Sequence, residues 1–141
     1  EYFSNLDYIN NIMLNRSAVA ATKSGDLFFV ALDMLDRVVL FNSRGYVIRQ
    51  NLFSASLPMT SGKFTHHFGD IYSCGEFCYV HRFEETNNPQ DSRLLIFDLS
   101  GRLTKTYSSP VGFGEIAVSE DGTVYTVIRS NSGYSLYKLR E

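Results

Sequence analysis

The chain has 141 residues, 44% hydrophobic and 20% charged, with a formal net charge of −2. That length suits one domain with a real core. Lys and Arg are scattered among acids, which excludes the clustered cations of a nucleic-acid binder. No apolar run nears the roughly 18 residues of a membrane-spanning helix, so no membrane insertion is expected.

Nine Tyr and eleven Phe against three Pro favour pleated, half-buried strands. At the N-terminus Leu6, Ile9, Ile12 and Met13 can form a helical stripe, while EYFSNLDYI (1–9) can also pair as a strand, the favoured reading. Asn15-Arg16-Ser17 matches a glycosylation triplet, which matters only in a secretory chain. SGDLFFVALD (24–33) is nearly apolar on both faces and reads as a strand with neighbours on each side. RVVLFNSRGYVIRQ (37–50) reads as two strands around a Ser43-Arg44-Gly45 turn, where glycine supplies positive φ. LFSASLPMTSGKFT (52–65) is a connector. HHFGDI (66–71) opens the next strand, and GEFCYVHRF (75–83) alternates with period two. EETNNPQDS (84–92), polar and carrying Pro89, is the longest predicted loop. RLLIFDLSGRLTKTY (93–107) is again two strands around a glycine turn, and SSPVG (108–112) is a second connector. In DGTVYTVIRS (121–130), Val124, Thr126 and Ile128 fall on one face and Tyr125, Val127 and Arg129 on the other.

The two paired-strand motifs superpose without a gap at an offset of 56 residues. Phe41 falls on Phe97, Asn42 on Asp98, Gly45 on Gly101 and Arg49 on Lys105. A third copy, GYSLYKLRE (133–141), stops where the glycine turn should come. Each repeat therefore reads as strand, turn, strand, loop, strand, turn, strand, over roughly 16–52, 66–108 and 113–141, in one domain.

This pattern resembles the β-propeller superfamily, especially six-bladed propellers of the NHL-repeat and TolB-like kinds. The resemblance rests on SGDLFFV with RVVLFNSRGYVI, CGEFCYV with RLLIFDLSGRLT, and DGTVYTV with YSLYKL. It implies an all-β arc of three antiparallel four-stranded blades, the third lacking its outer strand. Phe41, Phe97 and Tyr137 are expected to pack between blades. A β-sandwich or barrel of about 11 strands is the alternative architecture. Propellers carry four to eight blades, and an open arc exposes apolar faces that soluble monomers rarely tolerate. Two copies closing a six-bladed ring, or further blades from a longer chain or other subunits, would cover them. Residues 1–10 are a candidate closing strand.

In a blade the first strand lines the central axis, and the residues beside its start lie near one mouth. Phe68-Gly69-Asp70-Ile71 aligns there with Phe113-Gly114-Glu115-Ile116. Arg16, His67, Asp70 and Glu115, joined by the aligned pair Arg82 and Arg129, are the candidate ligand- or partner-binding residues. Charges converging on a rigid scaffold suit a small polar ligand or a peptide. Acids beside strands are also commonly solvated or bonded to backbone amides.

Cys74 and Cys78 are spaced C-x3-C, with His66, His67 and His81 nearby in sequence. A zinc site and a disulfide across the turn are alternatives to the favoured reading of two free thiols with Cys78 packed. No metal or other cofactor is expected. No nucleophile elbow, P-loop or G-x-G-x-x-G stands in the sequence, so no catalytic residue is assigned. The aromatics suit inter-blade core better than a sugar-stacking platform. The expected function is non-catalytic binding or assembly, with self-association or neighbouring subunits as partners. A fragment of a propeller hydrolase or lactonase, holding a divalent cation between mouth carboxylates, is the alternative. Localisation stays open, with a periplasmic or secreted setting favoured.

Overall fold

The structure, a computed structural model, describes residues 16–53, 66–83 and 91–139. The candidate closing strand at residues 1–10 lies outside them. Among the described residues eleven strands form three separate antiparallel sheets. Blade 1 comprises β1 (Ser17–Ala21), β2 (Leu27–Leu32), β3 (Arg37–Asn42) and β4 (Val47–Leu52). Blade 2 comprises β5 (Phe68–Cys74), β6 (Phe77–Arg82), β7 (Arg93–Asp98) and β8 (Leu103–Ser108). Blade 3 comprises β9 (Glu115–Val118), β10 (Val124–Ser130) and β11 (Gly133–Lys138). Within each sheet the strands lie in sequence order. The first strands are neighbours, β1 beside β5 and β5 beside β9. This is the arc of a β-propeller, not a pair of stacked sheets, and it sets aside the sandwich or barrel.

The outer hairpins follow from turn chemistry. Asn42 Oδ1 accepts the amides of Arg44 and Tyr46, each at 3.0 Å. Asp98 repeats this on Ser100 at 2.9 Å and Arg102 at 3.0 Å. An Asx side chain thereby shapes the turn that a positive-φ glycine completes, Gly45 at 81° and Gly101 at 76°. A one-residue register shift follows at the same repeat position in both, between Leu40 and Phe41 and between Ile96 and Phe97. Such bulges sharpen the local twist of an outer strand.

The core is made of seams between blades. Phe29, Ala31, Val38 and Leu40 of blade 1 pack with Phe68, Cys78, Val80, Leu95 and Phe97 of blade 2. Tyr79, Leu94 and Ile96 of blade 2 pack with Phe113, Ile116, Val118 and Val124 of blade 3. Because a strand turns alternate side chains to opposite faces, β7 sends Leu95 and Phe97 into the first seam and Leu94 and Ile96 into the second. Phe97 is fully buried, its ring centroid 6.4 Å from that of Phe29. Of the three aromatics expected between blades, Phe97 is thus a seam residue, Phe41 is half-buried and Tyr137 is exposed.

Cys78 lies in the first seam and Cys74 at the edge of the second. Ser73 is opposite Cys78, and Cys74 is opposite Phe77. The thiols therefore point to opposite faces of one sheet and stay free, which rules out the disulfide across the turn. Burial pushes the Cys78 thiol far up, so it is no nucleophile.

Candidate functional site

Strand register places the starts of β1, β5 and β9 at the same end of the arc as the ends of β2, β6 and β10. All six candidate mouth residues lie at that end. They fall into two groups.

The first group sits between blades 1 and 2, around two carboxylates that the sequence reading missed. β2 runs into a single 3-10 turn, Asp33–Leu35, followed by Asp36. Asp36 takes φ 46°, a left-handed conformation that Asp tolerates better than most residues. Both acids are buried. Asp33 Oδ1 accepts the amides of His67 at 2.7 Å and Phe68 at 2.9 Å, where β5 begins. Its Oδ2 lies 2.6 Å from His66 Nδ1 and 3.6 Å from Arg16 Nε. Asp36 takes a two-pronged contact from Arg82, Nε to Oδ1 at 3.0 Å and Nη2 to Oδ2 at 2.9 Å. His67 Nδ1 makes no hydrogen bond and stands 3.8 Å from Asp36 Oδ2. Arg82 also lies over the Phe53 ring, 5.2 Å from its centroid. His67 and Arg82 are thus buried and tied to blade 1, while Arg16 is largely exposed at the rim.

The second group borders an open groove of about 350 Å³ between blades 2 and 3. Asp70, Glu115 and Arg129 line it together with His81, Phe83 and Phe113. Asp70 Oδ2 accepts the Ile116 amide at 3.0 Å. Ser92 Oγ accepts the Phe113 amide at 2.8 Å, and Thr126 Oγ1 accepts that of Gly114 at 3.0 Å. Glu115 and Arg129 are exposed, and Arg129 reaches the Tyr134 ring, 6.0 Å from its centroid. His81 is buried between Phe83, at 4.5 Å between centroids, and Phe113, at 6.2 Å. Its Nε2 has no hydrogen-bond partner. Burial pushes its pKa down to about 4, against a smaller upward pull from Asp70.

The structure therefore brings Arg16, His67 and Arg82 together on Asp33 and Asp36, and Asp70, Glu115 and Arg129 around the groove. The pair of acids in Leu32-Asp33-Met34-Leu35-Asp36 was the available signal: two carboxylates three residues apart in a short apolar link. Among the described residues no group of three or more His, Cys, Asp or Glu is placed to hold a metal ion. No helix among them is long and apolar enough to cross a membrane.

No protein-family profile matches the chain, and no curated protein sequence is significantly similar to it. Solved structures do match. The β-propeller domain of Cps50 (Swd1) from Myceliophteria thermophila superposes with a TM-score of 0.58 at 13% identity, covering 96% of this chain and 43% of that one. A putative 6-phosphogluconolactonase from Bacteroides fragilis NCTC 9343 superposes with a TM-score of 0.52 at 12% identity, covering 86% of this chain and 37% of that one. At these identities the likeness shows a propeller-type fold alone. The chain spans less than half the length of either structure.

Removing one partner of a buried ion pair strands the other charge, at about 3–5 kcal/mol. Arg82→Met is expected to lose that much in urea unfolding. Asp36→Asn combined with Arg82→Met should lose less than the sum of the single changes in a double-mutant cycle. For His81 the folded pKa lies below the ordinary 6.5. Its contribution is therefore fully present above pH 6.5 and declines as the pH falls toward about 4, because the unfolded chain takes up a proton that the folded one refuses. The decline reaches at most about 3 kcal/mol. His81→Leu should flatten that part of a plot of urea midpoint against pH.

Proposed function

We propose that the protein is a non-catalytic binding and assembly module. It is a partial propeller that completes its ring by self-association or with other subunits, and its mouth faces a small polar ligand or a peptide. The observation that carries this reading is the open face of blade 3. The repeat makes Leu136 the counterpart of Ile96, and Tyr134 that of Leu94. Ile96 and Leu94, covered by blade 3, are 6% and 0% exposed, whereas Leu136 and Tyr134 are 68% and 74% exposed. Val127, opposite Leu136 on the same face, is also exposed. An apolar sheet face built to the blade pattern is best covered by another blade. Two copies, blade 3 of each against blade 1 of the other, would give six blades, the number of the NHL-repeat and TolB-like kinds.

At the mouth, Asp70, Glu115 and Arg129 are the residues we assign to ligand contact, with Phe83 and Phe113 as the apolar wall. His67 and Arg82 hold blades 1 and 2 in place behind them, and Arg16 extends the polar rim.

A second reading draws on the putative lactonase among the structural neighbours. It makes the chain part of a propeller hydrolase with a divalent cation at Asp70 and Glu115. Against it, one Asp70 oxygen is already engaged by the Ile116 amide. That reading expects a melting temperature that rises with added calcium and no longer rises in Asp70→Asn.

For the assembly reading, light scattering on the full chain should give a dimer or larger species. Leu136→Lys should shift it to monomer with its circular dichroism retained. A wild-type chain that stays monomeric and monodisperse at high concentration would overturn the reading.

A further inference from the structure

At the mouth, the seam between blades 1 and 2 holds a cation for which the seam between blades 2 and 3 has no equivalent. In β6 the side chains turned to the preceding blade are Cys78, Val80 and Arg82, and Arg82 crosses to Asp36. In β10 they are Val124, Thr126 and Ile128, and Ile128 lines the mouth groove. Register makes the two sets counterparts. Ile71 is opposite Val80, and Ile116, its repeat equivalent, is opposite Thr126. Two residues further along, Ile128 rather than Arg129 therefore stands where Arg82 stands in blade 2. Arg129 has its guanidinium over the Tyr134 ring, and among the described residues it joins no ion pair.

The acid that such a cation would meet is present. Asp70 is half-buried, and its Oδ2 accepts the Ile116 amide at 3.0 Å. Among the described residues its other oxygen accepts no hydrogen bond, and no ion pair reaches the carboxylate. Phe83, Phe113 and Ile128 give the groove apolar walls. His81, buried between the two rings, adds no charge at neutral pH, because burial pushes its pKa down to about 4. A neutral imidazole keeps one nitrogen able to accept a hydrogen bond, and Nε2 has no partner. A carboxylate among apolar walls favours a counter-charge, and the faces of aromatic rings favour a cation.

We propose that the mouth groove binds a small aliphatic amine in its protonated form, with the ammonium group on Asp70 and the alkyl chain against Phe83, Phe113 and Ile128. The ligand thus supplies in the second seam the positive charge that Arg82 supplies in the first. This assignment rests on the mouth being the ligand-contact region, and it narrows the ligand to one chemical class. An N–H-bearing cation suits the free oxygen of Asp70, which a quaternary ammonium would leave without a donor. A carboxylate ligand is disfavoured by charge, since Asp70 has no cation beside it. A groove of about 350 Å³ stands at the small end of ligand sites, which suits a single alkyl chain. The open face of blade 3 is a separate surface, so binding and assembly can fail independently.

The test is an NMR titration of the ¹⁵N-labelled full chain with pentylamine, pentanol and pentanoate at neutral pH and fixed ionic strength. Pentylamine should shift the amides of Asp70, His81 and Ile128 and saturate. Pentanol should bind about tenfold more weakly or less, as for the loss of one charged hydrogen bond, and pentanoate should not bind. Asp70→Asn keeps an oxygen for the Ile116 amide and should weaken pentylamine binding by about tenfold or more. Ile128→Arg should supply the cation from within the chain and abolish amine binding with its circular dichroism retained. Leu136→Lys should bind as the wild type does. No saturating shift with pentylamine, equal binding of pentanol or tetramethylammonium, or unchanged binding by Asp70→Asn overturns the proposal. An assembled chain that fails these arms overturns the amine and leaves the assembly reading standing. Binding of pentanoate alone overturns the amine and keeps the mouth as a ligand site. If Nα-acetyl-lysine amide binds about tenfold tighter than pentylamine, the groove takes a peptide's lysine and the free amine is excluded.

Discussion

A sheet that is apolar on both faces cannot stand alone, and every other feature of this protein follows from that constraint. In β7 four consecutive side chains, Leu94 to Phe97, are buried, two toward each neighbour. The alternation that would give a half-buried sheet one wet side here gives two dry ones. Blade 2 therefore has its place between two others. The stability of such an array is approximately a sum over repeats and the interfaces between neighbours.

The polar groups arrange themselves around those seams. The first strand of a new blade arrives with amides that its own sheet does not satisfy, and a buried unpaired amide is costly. Side chains of the preceding blade accept them. Asp33 takes the amides of His67 and Phe68, Asp70 takes that of Ile116, and Ser92 that of Phe113. These carboxylates and hydroxyls fix the angle at which one blade follows the next. They stand at the edge of the mouth because that is where the inner strands begin. The Asp36–Arg82 pair bridges the first seam, at the desolvation cost that buried pairs carry.

The blades were legible in the sequence because turn chemistry is local. Asn42 with Gly45, and Asp98 with Gly101, announce their hairpins within a few residues. Period-two runs such as 75–83 announce their strands just as locally. The site was legible only in part. Asp70, Glu115 and Arg129 stand out through the alignment of repeats, which ranks positions without telling which charges are already matched. Nothing near His67 or Arg82 in sequence reveals that each faces a carboxylate some thirty or more residues earlier. Asp33 and Asp36 carry no local sign of their role, because the groups that match them arrive only with blade 2. Leu136 and Tyr134 carry the same lesson reversed. Their local pattern is that of a buried strand, and only the spatial order of blades shows them uncovered.

The placement of the two thiols has a further consequence. Cys78 is sealed in the seam between blades 1 and 2, and Cys74, whose Sγ lies 3.2 Å from Ser119 O, borders the seam between blades 2 and 3. Four residues apart in one hairpin, they look outward through opposite walls of the same blade. Cys78 is thus a natural chemical clock for the first joint, whereas Cys74, half-buried at the edge of an open groove, stands within reach of solvent. The rate at which the Cys78 sulfur becomes reactive records the opening of the seam between blades 1 and 2, and Cys74 beside it supplies the reference rate of an accessible thiol.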